Sequence, residues 1–210
     1  MILLRTRRLI IALGAVVLLL AAPLLLRLIY PLHYADEIRT YAHAHGIDPH
    51  LIAAVIRVES RFEPRSQSAK GARGLMQIMP ETGAWVASQL GLKDFTPDDL
   101  YDPDINIRIG TWYLADLRET FAGDVVLMLA AYNGGRTNVR RWLEQHDLAA
   151  GDLADRLERI PFTETRRFVE RVLLAYRMYR LLYPQLAAPP LPGDTALRRE
   201  ADGAAASSTE

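Results

Sequence analysis

Between Pro31 and Pro184 apolar side chains recur at helical spacing, and the runs are broken by short Gly, Pro and Asp clusters rather than by alternating β-branched segments. That pattern admits helices and supplies no material for a sheet, so the expected class is mainly α. Helices are predicted near 34–45, 49–60, 81–90, 104–121, 124–132, 137–146, 151–158 and 163–183. Gly46 stops the first of them, and Asp48-Pro49 gives the second an N-cap and a first-turn proline. Connections this short suit one packed helical domain over 31–184. Beyond it, residues 185–210 have no aromatic side chain and no sustained period, which reads as a disordered tail.

The first 30 residues differ from the rest. Residues 9–26 contain no charged or strongly polar side chain, and a helix of that length reaches ~27 Å, close to the thickness of a hydrocarbon core. A cleaved signal peptide is the competing reading, but its apolar region runs only ~7–15 residues before a small-x-small site, and Ala21-Ala22-Pro23 is a poor one. The expectation is therefore an uncleaved transmembrane anchor within residues 1–30, with Arg27 snorkelling to the interface. Arg5, Arg7 and Arg8 before the span place the N-terminus in the cytoplasm and the domain outside it, as a single-pass protein of the cell membrane.

Those arginines also hide a charge asymmetry. The chain carries 25 basic and 25 acidic side chains, yet four of the arginines and none of the acids lie in the first 30 residues, leaving 21 bases against 25 acids in the remainder. A groove for nucleic acid needs a basic excess, so no nucleic-acid partner is expected. With no cysteine, zinc–thiolate sites and cysteine nucleophiles are excluded.

Within 49–60, Leu51, Val55 and Glu59 are spaced four apart, with Ile52 and Ile56 beside them, so a carboxylate falls on the stripe that faces the core. It also lies at the helix C-terminus, where the negative dipole end disfavours a second negative charge. Desolvation and dipole both favour the neutral acid, as a general acid working near neutral pH requires. A buried glutamate paired with an arginine fits the same pattern equally well.

The residues that follow decide between them. Glu59-Ser60, then Gly74-Leu75-Met76-Gln77 within the longer run from Ser68 to Pro80, then Ala131-Tyr132-Asn133, resemble the E-S, G-L-M-Q and A-Y-N motifs of the lytic transglycosylases that share the goose-type lysozyme fold. The likeness extends through residues 102–107 with Gly110, and through residues 160–166. Five such stretches, in the family's order, span roughly residues 32–183.

The resemblance implies a lysozyme-like helical domain that cleaves the β-1,4 bond between N-acetylmuramic acid and N-acetylglucosamine in peptidoglycan glycan strands. Glycosidases commonly use two carboxylates, ~5–5.5 Å apart when retaining and ~6.5–9.5 Å apart when inverting, with substrate-assisted enzymes as exceptions. Here the resemblance implies that one residue suffices: Glu59 is the acid and then the base, and the sugar's own C6 hydroxyl replaces water, closing a 1,6-anhydro ring. It also assigns Ser68 and Gln77 to hydrogen bonds with the sugars, Met79 to packing against a ring, Tyr132 to supporting the acetamide, and Glu164 to supporting the cleft floor. From the spacing, Glu164 lies four residues before Phe168 and is expected to face packed surface, just after a Thr163 cap. The family often has tyrosine where this chain has Phe168, which removes one cleft hydroxyl. A hydrolase with the same Glu59, and a non-catalytic peptidoglycan-binding scaffold, are the alternatives. Protein partners of the cell-wall or division machinery are not identified by the sequence.

Other residues are set aside. Glu63 lies beyond the helix end, and Asp98 and Asp99 read as solvated first-turn charges. His43, His45 and His50 have neither the spacing nor the acidic partner of a metal site and are expected at the surface, so neither metal nor cofactor is called for. Trp85, Trp112 and Trp142 fall on helical stripes and are expected in the core.

Overall fold

The computed structural model describes residues 21–146 and 148–188. Residues 21–29 are helical, and eight further α-helices follow: α1 (Ala35–His45), α2 (Pro49–Glu59), α3 (Pro80–Gln89), α4 (Pro103–Thr120), α5 (Val125–Gly134), α6 (Arg136–His146), α7 (Leu153–Glu158) and α8 (Thr163–Leu182), with 3-10 turns at Pro97–Tyr101 and Pro184–Ala187. Aspartates open four of them. Asp48, Asp102, Asp124 and Asp152 each accept a hydrogen bond from a backbone N–H of the first turn, satisfying donors the helix itself leaves free. α5 is apolar on almost every face and is accordingly enclosed, packing against α4, α6 and α8. α2 lies between α1 and α8, with every residue from His50 to Ile56 buried.

The segment between α2 and α3 is irregular, and its shape depends on α4. Asn106, fully buried, accepts a hydrogen bond from the Met76 N–H (2.7 Å) and donates to the carbonyls of Leu100 (2.7 Å) and Arg73 (3.0 Å). Gly74 lies so close that a Cβ there would meet Leu100 O at 2.0 Å and Asn106 Nδ2 at 2.3 Å, and its φ of +75° is one that side chains resist. Met76 in turn packs on Gly110, where a Cβ would meet its sulfur at 2.3 Å. From α5, the Tyr132 hydroxyl donates to the Met76 carbonyl (2.7 Å). The loop is thereby pinned from two helices.

Several expectations need correction. Helix 163–183 is not capped by Thr163, which is already its first residue; Phe162 is the N-cap and offers no side-chain bond. The tail does not begin at 185, because Pro184–Ala187 forms a 3-10 turn with Leu186 buried among α1, α2 and α8; residues 189–210 lie outside the described residues. The helix expected over 124–132 runs on through Gly134, and within it the Asn133 Oδ1 accepts from the Thr165 hydroxyl (2.8 Å) and ties α5 to α8. His50 is buried rather than superficial, its ring nitrogens 2.8 Å from Asp48 Oδ1 and 2.9 Å from the Tyr183 carbonyl.

Most of the expected membrane anchor, residues 1–20, lies outside the described residues. Among the described residues no helix is long and apolar enough to cross a membrane. Residues 21–29 are nevertheless fastened to the domain. Arg27, though exposed, donates to the Leu182 carbonyl (2.9 Å) and lies over the Tyr183 ring. Arg57 donates to the Ile29 carbonyl, and the hydroxyls of Tyr183 and Tyr179 donate to the carbonyls of Tyr30 and Pro31.

Replacing Asn106 with alanine strands one N–H and two carbonyls in the interior. At about 1–3 kcal/mol for each unsatisfied group, Asn106→Ala should cost at least ~3 kcal/mol, read as a lower urea midpoint.

Candidate active site

Glu59 is the last residue of α2, and the chain leaves the helix abruptly behind it. Ser60, buried, donates its hydroxyl to the Ile56 carbonyl and accepts from the Phe62 N–H, both at 3.2 Å. Arg61 and Phe62 then take left-handed backbone angles, φ 56° and 67°, which cost L-residues ~1–2 kcal/mol each. The Phe62 side chain offsets that by burial, with its ring edge-on to His33 and Tyr179. The turn leaves Glu59 half-buried at the end of an apolar helix, as the stripe of Leu51 and Val55 predicts.

Its carboxyl is pushed up from an ordinary 4.5 to about 8, chiefly because burial removes solvent from the charged form. Arg171 opposes the shift and Glu164 adds to it, but neither outweighs desolvation. Near neutrality Glu59 therefore carries its proton. Beside it, Tyr132 is kept protonated by burial and by the proximity of Glu59 and Tyr113. The Tyr132 ring stacks on Phe168, centroids 6.2 Å apart and planes 7° from parallel, so the phenylalanine holds the tyrosine by its face and the absent hydroxyl is not needed for that.

The other candidates differ in how free their side chains are. Gln77, in a left-handed conformation with φ 49°, turns its amide N–H groups back onto the carbonyls of Gly74 (2.9 Å) and Ser66 (3.1 Å), so the oxygen of the amide is the end left to a ligand. Ser68 accepts from the Ala72 N–H (3.0 Å) and shapes its own loop. Met79, at the N-cap of α3, is 39 % exposed. Glu164 departs from its expected setting. It does not face packed surface; its side chain projects into solvent, 3.3 Å from the Lys70 ammonium, because Thr165 rather than Glu164 turns inward at that end of α8. Glu164 and Lys70 thus form an exposed bridge at the rim, joining the loop to α8.

The tryptophans divide. Trp142 is buried as expected, whereas Trp85 is 39 % exposed, edge-on to Trp112 and Tyr113. Sequence reasoning gave no role to Asn106, Lys70, Arg171 or Tyr113. For Asn106 the available sign is a polar residue between Ile105 and Ile107 with Gly110 one turn on. Among the described residues no cluster of His, Asp and Glu could hold a metal ion.

The Transglycosylase SLT domain model matches residues 36–153, more than half of the chain. The chain belongs to this family. Over 154 residues it is 38 % identical to the soluble lytic murein transglycosylase of Salmonella typhimurium, covering 72 % of this chain and 23 % of that protein. Over 166 residues it is 32 % identical to membrane-bound lytic murein transglycosylase C of Edwardsiella ictaluri, covering 70 % and 46 %. Among solved structures, the 70 kDa soluble lytic transglycosylase of Escherichia coli superposes with a TM-score of 0.69 at 36 % identity, covering 76 % of this chain and 26 % of that one. An inactive glutamate-to-glutamine mutant of lytic transglycosylase Slt from Pseudomonas aeruginosa gives 0.68 at 32 %, covering 79 % and 26 %. The fold is thus the mainly helical, lysozyme-like one of the SLT family. The chain spans about a quarter of the soluble relatives it matches.

A neutral buried acid has a cost that depends on pH. Between 4.5, its ordinary value, and about 8 the folded chain holds a proton at Glu59 that the unfolded chain releases, so stability falls as pH rises through that window. Glu59→Gln should therefore raise Tm by several degrees at pH 8 and leave it nearly unchanged at pH 4, measured by calorimetry.

Proposed function

We propose that this chain is a peptidoglycan lytic transglycosylase that cleaves the β-1,4 bond between N-acetylmuramic acid and N-acetylglucosamine without water, with Glu59 as acid and then base. The observation that carries this reading is a protonated, buried glutamic acid whose acidic neighbour Glu164 is solvated and paired with Lys70, and so is poorly suited to act as a nucleophile. The membership in the SLT family and the relatives' names support the substrate.

The chemistry follows from that asymmetry. Glu59 gives its proton to the glycosidic oxygen as the C–O bond breaks, and the 2-acetamido carbonyl oxygen of the muramyl residue bonds to the anomeric carbon. The Glu59 carboxylate then removes the proton from the C6 hydroxyl, whose oxygen displaces the acetamido oxygen from the same carbon and closes the 1,6-anhydro ring. Glu59 ends protonated, ready for another turnover. The Gln77 carbonyl oxygen, Ser68 and Met79 meet the sugars from the loop side, Tyr132 backs the acetamide, and Glu164 holds the rim through Lys70.

A hydrolase would use the same residue to activate water, and a scaffold would bind without cleavage. Digestion of intact sacculi by the full chain, with mass spectrometry of the soluble products, separates all three: anhydro ends support the proposal, while reducing ends or an absence of products overturn it. Glu59→Gln should reduce cleavage by about 10⁴-fold, because the amide neither donates nor recovers the proton. With the acid form required first, wild-type kcat/KM should fall as pH rises past about 8.

We further propose that residues 9–26 anchor the protein as a single-pass span of the cell membrane, with the domain outside the cytoplasm. The apolar run and the arginines before it support this, as do Leu24, Leu25, Leu28 and Ile29, each more than half exposed on the helix where the described residues begin. Protease added to intact spheroplasts should digest the domain; digestion only after permeabilisation, or a mature N-terminus near Pro23, would overturn the anchor.

A further inference from the structure

Among the described residues, the large apolar side chains that stand more than half in solvent are Leu24, Leu25, Leu28, Ile29, Leu174 and Leu181. All six belong to residues 21–29 or to α8, and Arg27 joins these two helices through the Leu182 carbonyl. On α8, Leu174 and Leu181 are seven residues apart, so they share one face about 10 Å long, with Arg177 between them. The core takes the opposite side of the helix, through Phe168, Val172, Ala175 and Tyr179. Nothing among the described residues covers the outer side there.

Positive charge is concentrated in the same place. Between residues 31 and 164 there are 14 basic and 20 acidic side chains, whereas from 165 to 188 five arginines stand against Glu170 alone. Two of the five have other tasks: Arg166 donates to the Ile160 carbonyl, and Arg171 bears on the Glu59 carboxyl. Arg177 and Arg180 are exposed near the end of α8, Arg180 over the Tyr176 ring, and Arg27 adds a further cation where residues 21–29 meet that end. Leucines flanked by arginines on an uncovered helix face suit the interface of an anionic bilayer, because the alkyl groups leave water while the guanidinium groups stay with the phosphates. An acidic protein would match the arginines, but nothing brings one to this end of the domain. The apolar run 9–26, by contrast, leads into the very helix that Arg27 ties to α8.

We propose that the face of α8 bearing Leu174, Arg177 and Leu181, with Arg180 at its edge, docks on the headgroups of an anionic phospholipid bilayer, so that the domain meets the membrane along this helix as well as at its anchor. That a bilayer is close by rests on the anchor reading above; the apolar and basic character of the face does not. An anchor alone leaves α8 standing clear of the lipid. Docking adds a second contact, one that salt weakens.

The chain has no cysteine, so a single introduced one can carry a reporter. The full chain with Leu174→Cys, labelled with an environment-sensitive fluorophore, is reconstituted into vesicles of phosphatidylcholine alone or with about one-third phosphatidylglycerol, their acyl chains brominated as quencher. Ser88→Cys, exposed on α3, which packs on α4 and the 3-10 turn at Pro97–Tyr101, is the reference. Quenching at 174 should exceed that at 88 several-fold in the anionic vesicles, and should fall towards it in the neutral ones or in about 1 M salt, where the screening length is ~3 Å. Arg177→Gln should lower the ratio of docked to undocked chains roughly fivefold, the worth of one basic side chain at an anionic surface. Leu181→Cys repeats the measurement if Leu174→Cys loses its helical circular dichroism. Equal quenching at the two positions, quenching indifferent to phosphatidylglycerol, or no effect of Arg177→Gln in a folded chain would each overturn the docking. So would a label that polyglutamate shields and vesicles do not. Chains that stay with the vesicles in about 1 M salt, yet show no quenching at 174 without it, keep the anchor and overturn the docking; chains that salt removes, after quenching in the anionic vesicles without it, overturn the anchor and leave the docking.

Discussion

The carboxamide of Asn106 is the point on which the geometry of the site depends. One side chain, projecting from the first turns of α4, satisfies the Met76 N–H and the carbonyls of Arg73 and Leu100 together. Without it, the loop between α2 and α3 would have to find other partners for three backbone groups, and no regular element runs through that loop to supply them. Asparagine suits the task because it both accepts and donates in the same plane. The two glycines, Gly74 and Gly110, then let the loop approach α4 closely enough for those bonds to form.

That rigid frame permits an uncomfortable acid. Glu59 gains little where it is, since the apolar residues that bury it favour neither its charge nor its hydrogen-bonding capacity. The strain is shared with Arg61 and Phe62, whose left-handed backbone turns the chain away and keeps the carboxyl at the helix end. Stability is given up for a proton held at a pH where ordinary carboxylic acids have lost theirs. The packed α2 around it, from His50 to Ile56, is what makes that sacrifice tolerable.

Much of this was legible in the chain before any coordinates. The helical period and the Asp caps locate every long helix to within a few residues, because both are local effects. Glu59 stands out because a charge on an apolar stripe contradicts its surroundings. What escaped depends on residues far apart in sequence. Glu164 has the spacing of a buried position, four residues before buried Phe168, yet the first turn of α8 is left uncovered there. His50 is sealed by Tyr183, 133 residues away, and Leu186 by helices it follows. Trp85 lies on the apolar stripe of α3, so periodicity alone assigns it to the core although part of the ring remains open.

The fastening of residues 21–29 has a mechanical consequence. Arg27, Arg57, Tyr179 and Tyr183 bind the backbone from Ile29 to Pro31 and the end of α8 into one unit, so there is no swivel between the helix that enters the domain and α2, which carries Glu59. Any tilt or turn of the helix at residues 21–29 is therefore passed directly to α2, and with it to the direction in which the Glu59 carboxyl faces.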